Sequence, residues 1–214
     1  SERFGDDVAP TGALVARVIR SPYASASFTL GDIAAWQAQN PGIVTVLTAQ
    51  DIPGLNAFGV IPGFIDQPVF AVSHIRFRGE AVACVVGSAD AMAALDLNSF
   101  PVEWTAQPTL SDIDEAIAPD APLLFDDRKG NIMCGGFVQC GDADAALDGA
   151  DVTVEATYKT SFVEHGYIEP EAGFAEMVDG RLHVHACTQA PGMDRETPLG
   201  VGSGRKLMCP CSPS

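Results

Sequence analysis

The sequence predicts an α+β protein. Short runs of β-branched and apolar residues recur along the chain, bounded by Gly, Pro, Asn and Asp. Only a few short stretches have helical composition, and they do not alternate strictly with the strand runs as a parallel βαβ sheet requires. One pair of runs is joined by Asp179-Gly180, a strong two-residue hairpin signal. With 214 residues and 47% hydrophobic content, the chain is long enough to bury a core, as one large domain or two small ones.

Residues 12–20, with Leu14, Val15, Val18 and Ile19, read as a strand ended by Ser21-Pro22, and residues 27–30 as a second extended piece. Residues 31–39 suit a helix, which Asn40-Pro41-Gly42 stops. Residues 43–47 are a compact strand, after which Thr48 can cap the turn through Asp51. Residues 55–70, rich in Gly, Pro and aromatics, read as an ordered loop. Arg76-Phe77 leads through Gly79 into residues 81–86, a continuous buried-strand pattern. Residues 88–97 form a helix by propensity, with Ser88 as N-cap, and 101–104 a further strand. A helical turn at 111–118 precedes a polar connection at 120–130, where a domain boundary is expected. Beyond it, residues 141–147 start a short helix. Residues 152–160 alternate for nine positions and give the clearest strand signal in the chain. Residues 173–177 and 182–187 are two more strands.

The balance of charge narrows the possible partners. Twenty-eight acidic residues against 12 basic ones leave a net charge of −16, which repels nucleic-acid phosphates and anionic lipid heads alike. Residues 1–7 lack the basic and apolar pattern of a signal peptide. No stretch approaches the roughly 18 apolar residues of a membrane span. A soluble, cytoplasmic protein without nucleic-acid or membrane partners is therefore expected.

The residues able to do chemistry are few. Glu164, His165, Glu169 and Glu171 bring carboxylates and an imidazole into one short segment, which could serve acid/base work or hold a metal. Their spacing matches no metal signature, and a polar loop satisfying its own backbone is the simpler reading. His183 and His185 share one face of a strand but lack a third ligand. Arg76, Arg78 and Glu80 flank Gly79 at a strand entry, where charges are usually solvated or paired. Residues 200–206 resemble a phosphate-cradling loop in composition but lack the GxxxxGK[ST] spacing. Six cysteines (Cys84, Cys134, Cys140, Cys187, Cys209 and Cys211) are too sparse for a disulfide scaffold and lack the paired C-x-x-C spacing of zinc or cluster sites.

Longer motifs carry more. Residues 16–24, ARVIRSPYA, resemble the "RSPHAHA" segment that opens the large subunit of molybdenum hydroxylases of the xanthine dehydrogenase/aldehyde oxidase family. Residues 41–54, PGIVTVLTAQDIPG, are similar to its "PGVVAVLTAEDIPG". Residues 66–71, DQPVFA, and 75–83, IRFRGEAVA, resemble its "PLLA…VRYVGQPVA". Further on, Gly130-Asn131, residues 141–146 and residues 164–171 resemble "GN…GDVDAAF…QEHAYLEPE", and Cys187-Thr188-Gln189-Ala190-Pro191 resembles "STQAP". These segments lie in order at family-like spacing over residues 6–196, a far more specific signal than any one of them. The resemblance implies an α/β-hammerhead domain at 6–113, a linker at 114–130, and the start of a molybdenum-cofactor-binding domain at 131–196.

In that family the Gln of the last motif points its amide at an oxo ligand of molybdenum, so the resemblance assigns cofactor contact to Gln189. Such a contact tunes a metal without ligating it. The resemblance also implies that residues 164–171 are a structural segment leading to the cofactor domain, not a metal site. Residues 197–214 depart from the pattern: the family's GGGFGGK loop has only a weak echo at 200–206. A truncated or out-of-frame ending is the expectation for that tail. The implied activity is hydroxylation of an electron-poor carbon in a purine, N-heterocycle or aldehyde, with water as the oxygen source. It uses a molybdopterin-type cofactor, with 2Fe–2S and FAD groups on other domains or subunits. The implied partners are the remainder of the molybdenum subunit and those iron–sulfur and flavin subunits or domains. The family's catalytic Glu and Gly-rich loop find no counterpart among these 214 residues, so no catalytic or metal-ligating residue is assigned and no activity is expected from the chain alone. Two other readings remain open. One is a split enzyme completed by a second chain. The other is a non-enzymatic module that reuses the hammerhead fold and binds through Phe58, Phe64 and Phe70.

Overall fold

The computed structural model describes residues 5–59, 61, 63–168, 171–193 and 207–208. The chain divides into two compact units, one made of Ser1–Thr109 with Ile168–Ser214, the other of Leu110–Tyr167.

In the first unit, strands β1 (Val15–Arg20), β2 (Ala26–Leu30), β3 (Ile43–Thr48), β4 (His74–Ile75), β5 (Ala81–Gly87) and β6 (Val102–Ala106) form two antiparallel sheets, ordered β1-β5-β3 and β4-β2-β6. The central position of β5 explains its sequence. Paired on both edges, it buries Val82, Ala83 and Val85 completely, so the run reads apolar rather than alternating. Two short helices cover the sheets. Helix α1 (Ile33–Gln39) is capped by the Asp32 carboxylate on the Ala35 N–H and closes at Asn40. Its buried Trp36 meets Phe100 edge-on at 5.2 Å and donates its indole N–H to Ser99. Helix α2 (Ala89–Ala94) begins with Ser88 as N-cap, as expected, but stops at Ala94, short of the expected 97. Leu95 turns extended, and the Asp96 side chain instead accepts from Asn98 to start a separate 3₁₀ turn at Leu97–Ser99. The Arg17 guanidinium donates to the Met92 carbonyl at the end of α2, where a cation complements the unpaired carbonyls.

The hammerhead-like motifs meet in space. The Ser21 N–H donates to the Glu80 carbonyl, the Gly79 N–H donates to the Ser21 carbonyl, and the Ala71 N–H donates to the Ala81 carbonyl. Three segments far apart in sequence thus share one knot, closed by the buried Glu80 carboxylate. It accepts the Arg76 backbone N–H at 2.6 Å and the Arg76 guanidinium at 3.3 Å. Thr48 caps the following 3₁₀ turn, with Asp51 returning the bond to complete a capping box. In the loop at 55–70, Asn56 brackets the Phe70 backbone with two hydrogen bonds, and Phe58 bridges Gln67. Phe70 is buried, and Phe58 and Phe64 are half-buried. These rings are largely turned into their own domain and do not form an open aromatic surface.

In the second unit, α3 (Ile113–Ala116) and α4 (Ala143–Asp148) are capped by Asp112 and Asp142. Asn131 of the Gly130-Asn131 motif stitches the connection together. Its amide donates to the carbonyls of Ala116 and Pro122, and its carbonyl oxygen accepts from the Leu124 N–H. The strand expected at 152–160 is absent: these residues pair with nothing among the described residues, and Val152, Val154 and Tyr158 are at least 80% exposed. Alternation marks a face to be buried, but an isolated strand has no ladder partner to hold it.

Candidate functional site

Towards the end of the described chain stands a hairpin, β7 (Gly173–Val178) and β8 (Arg181–Ala186). Asp179 and Gly180 both have positive φ, at 51° and 75°, the geometry of a type I′ turn that suits Asp-Gly. The turn sets the register: Val178 faces Arg181, and therefore Phe174 faces His185. Beside β8, strand β9 (Leu207–Met208) pairs in parallel with Leu182 and His183.

That register builds the support under residues 187–189. The Phe174 ring stacks on the His185 imidazole with centroids 4.3 Å apart, and the Glu176 carboxylate lies 3.6 Å from His185 Nε2. At the strand end, Gly173 lets the backbones close up, since a Cβ there would lie 2.5 Å from the His185 carbonyl. Past β8, the Cys187 thiol contacts the Glu171 carboxylate at 3.6 Å, and Thr188 Oγ1 accepts the Ala190 N–H at 2.9 Å. The loop is thus tied on both sides of Gln189, whose own side chain is exposed.

The other candidates fall elsewhere. His165 stacks on Tyr167, and its backbone N–H donates to the Glu164 carboxylate. Glu169, residues 200–206, Cys209 and Cys211 lie outside the described residues. His183 and His185 stand on β8, half-buried, without a third ligand; no group of three or more His, Cys, Asp or Glu that could hold a metal occurs among the described residues. Cys84 sits in the central strand, where burial pushes its thiol pKa up, away from reactivity. A groove of about 900 Å³ is lined by Leu14, Ser88 and Phe174, and Gln189 is not part of its wall. No described helix is long and apolar enough to cross a membrane.

This donor set suits a group that brings its own metal ligands. A neutral carboxamide ligates metals poorly but donates well to an anionic or oxo oxygen. Gln189 fits as one hydrogen-bond contact to such a group; the described residues add no cradle around it. Sequence reading singled out Gln189 but missed its support. The Asp-Gly turn was the available signal, because counting back across it places Phe174 against His185.

Comparison with known proteins finds two family domains in the chain. Residues 1–108 match the aldehyde oxidase and xanthine dehydrogenase a/b hammerhead domain, and residues 124–200 match the molybdopterin cofactor-binding domain. The chain is 31% identical over 195 residues to a probable xanthine dehydrogenase subunit of Bacillus subtilis, a match covering 90% of this chain and 25% of that protein. It is 30% identical over 200 residues to the nicotinate dehydrogenase large molybdopterin subunit of Eubacterium barkeri, covering 93% and 46%. Its fold matches the aldehyde oxidoreductase of Desulfovibrio gigas with a TM-score of 0.78 at 24% identity, over 96% of this chain and 24% of that one. The chain therefore spans between a quarter and a half of the length of these relatives.

Proposed function

Since the chain belongs to the aldehyde oxidase and xanthine dehydrogenase family, we propose that it supplies the hammerhead domain and the first wall of the cofactor site in a molybdenum hydroxylase. The reaction is oxidation of an electron-poor carbon in a purine, N-heterocycle or aldehyde, with water as oxygen source. The observation that carries this reading is the order of two family domains in one chain, with Gln189 presented on a braced loop within the second. The relative named for nicotinate, itself an N-heterocycle, supports that substrate class.

When bound, the cofactor supplies the redox chemistry. The work of this chain is positional. The Gln189 carboxamide donates a hydrogen bond toward the cofactor and so influences its electronics without ligation. The contacts Thr188–Ala190 and Cys187–Glu171 hold the loop. The His185 stack fixes the strand that delivers it. Preorganised donors of this kind act because they need not reorient during reaction. The proton-transfer carboxylate and the remaining cofactor contacts would come from the rest of the molybdenum subunit, and iron–sulfur and flavin groups, where partner domains or subunits hold them, would supply the electron-accepting chemistry. The chain by itself is inactive on this reading. We assign residues 6–113 to the hammerhead, 114–130 to a linker, 131–196 to the start of the cofactor domain, and 197–214 to a segment outside the family pattern.

Elemental mass spectrometry tests this. The molybdenum-to-protein ratio is expected near zero for the chain alone and near one when it is purified with the rest of a molybdenum subunit. A ratio near zero in the assembled sample as well contradicts the proposal.

A further inference from the structure

Glu176 turns away from the residue it faces. Across the β7–β8 ladder it lies directly opposite His183, yet the His183 side chain makes no hydrogen bond or ion pair among the described residues. The Glu176 carboxylate instead lies 3.6 Å from Nε2 of His185, the diagonal neighbour. Phe174 explains the choice, because its ring lies flat on the His185 imidazole, with centroids 4.3 Å apart and planes 16° apart. Stacking fixes the plane of the imidazole but leaves it free to slide and flip within that plane. The carboxylate beside Nε2 removes that freedom. The His185 and Glu176 side chains are 38% and 42% exposed, too open to water for the pair to add much to stability. Its effect is geometric.

We propose that Glu176 is a positioning residue for Gln189, acting through His185. This rests on the functional reading above, in which Gln189 meets the cofactor. Alternate residues of β8 share one face, and the row His185, Cys187 continues at that period to Gln189. Each of the first two is held by a carboxylate from the segment that runs into and along β7, His185 by Glu176 and Cys187 by Glu171. Gly173 keeps the grip short, because a Cβ there would lie 2.5 Å from the His185 carbonyl. Two rungs thus lead up to the carboxamide, and the Glu176 rung sets where the row starts. The hairpin itself is held by its Asp-Gly turn and its ladder. Loss of the Glu176 rung therefore changes the direction in which Gln189 is presented and leaves the hairpin formed.

Amide NMR on the full chain tests the positioning. The variants are Glu176→Gln and His185→Phe, the second of which keeps a flat ring on Phe174 and removes Nε2. Both should shift the backbone and side-chain amide resonances of Gln189 and leave those of β1, β3 and β5 in place, whereas His183→Gln should leave Gln189 unmoved. Unmoved Gln189 resonances in both variants, or loss of the whole β7–β8 hairpin in both, overturn the proposal. The molybdenum K-edge spectrum of the assembled molybdenum subunit then separates this role from the functional reading. Gln189→Ala should shift the edge, Glu176→Gln should shift it in part, and the double variant should match Gln189→Ala, because both act through one contact. An edge that moves with Gln189→Ala but not with Glu176→Gln, or a double variant in which the two shifts add, defeats the positioning role alone. An edge unmoved by Gln189→Ala defeats the functional reading and, with it, this one.

Discussion

Glu80 offers the sharpest test of how the hammerhead unit is held together. Its side chain is 3% exposed, and its carboxylate holds both the Arg76 backbone N–H at 2.6 Å and the Arg76 guanidinium at 3.3 Å. Glu80→Ala strips both donors of their acceptor. An unsatisfied buried donor costs about 1–3 kcal/mol, and breaking a buried ion pair by removing one member costs about 3–5 kcal/mol. The Arg76 side chain is 24% exposed, so water recovers part of its loss, and a total near 3 kcal/mol follows. Against a typical stability of about 5–15 kcal/mol, that is a large fraction. The assay is urea unfolding of the wild type, Glu80→Ala, Arg76→Met and the double variant. The cycle should give a coupling of about 2 kcal/mol, well above the roughly 0–1 kcal/mol of a solvent-exposed pair. A coupling under about 0.5 kcal/mol would refute the claim that this pair closes the knot between residues 21 and 80.

Other expectations follow from close contacts and burial. Gly42 has φ at +94°, and a Cβ there would lie 2.6 Å from Ala91 Cβ. Gly42→Ala should therefore destabilise the unit by about 2 kcal/mol or more through strain and overlap, read as a lower urea midpoint at unchanged slope. Cys134 and Cys140 are exposed and Cys84 is not; timed alkylation with mass-spectrometric readout should label the first two well before Cys84. Because burial raises the Cys84 pKa, the folded state holds that proton more tightly than the unfolded state. Its contribution to stability is full below the ordinary thiol pKa and is lost as pH rises above that value through the raised pKa of the folded state. Cys84→Ser should remove that alkaline decline from stability measured against pH.

The elements most legible in the sequence were those fixed by local chemistry. Ser88 and Thr48 signalled their caps because one hydroxyl and the next turn of backbone suffice to make them. Asp179-Gly180 signalled its hairpin because positive φ at two successive positions admits few residues. Long-range placement was less legible. That β5 lies between β1 and β3, or that the Glu80 carbonyl accepts from the Ser21 N–H, depends on chain segments 35 to 72 residues apart. Residues 152–160 show the limit most plainly. Their alternation marks a face, but periodicity specifies burial and not the partner that provides it. At the candidate site, the motif around Gln189 was recognisable. The Phe174–His185–Glu176 brace has to be counted back from the Asp-Gly turn, which places Phe174 opposite His185, and carries no motif of its own.

The most direct test of the role given to Gln189 is Gln189→Ala in the assembled molybdenum subunit, read by molybdenum content and the molybdenum K-edge absorption spectrum together. The molybdenum-to-protein ratio should stay unchanged, the edge spectrum should shift, and turnover should fall about 10- to 100-fold. An unaltered spectrum with unaltered turnover would mean that Gln189 does not face the cofactor, and would contradict the assignment.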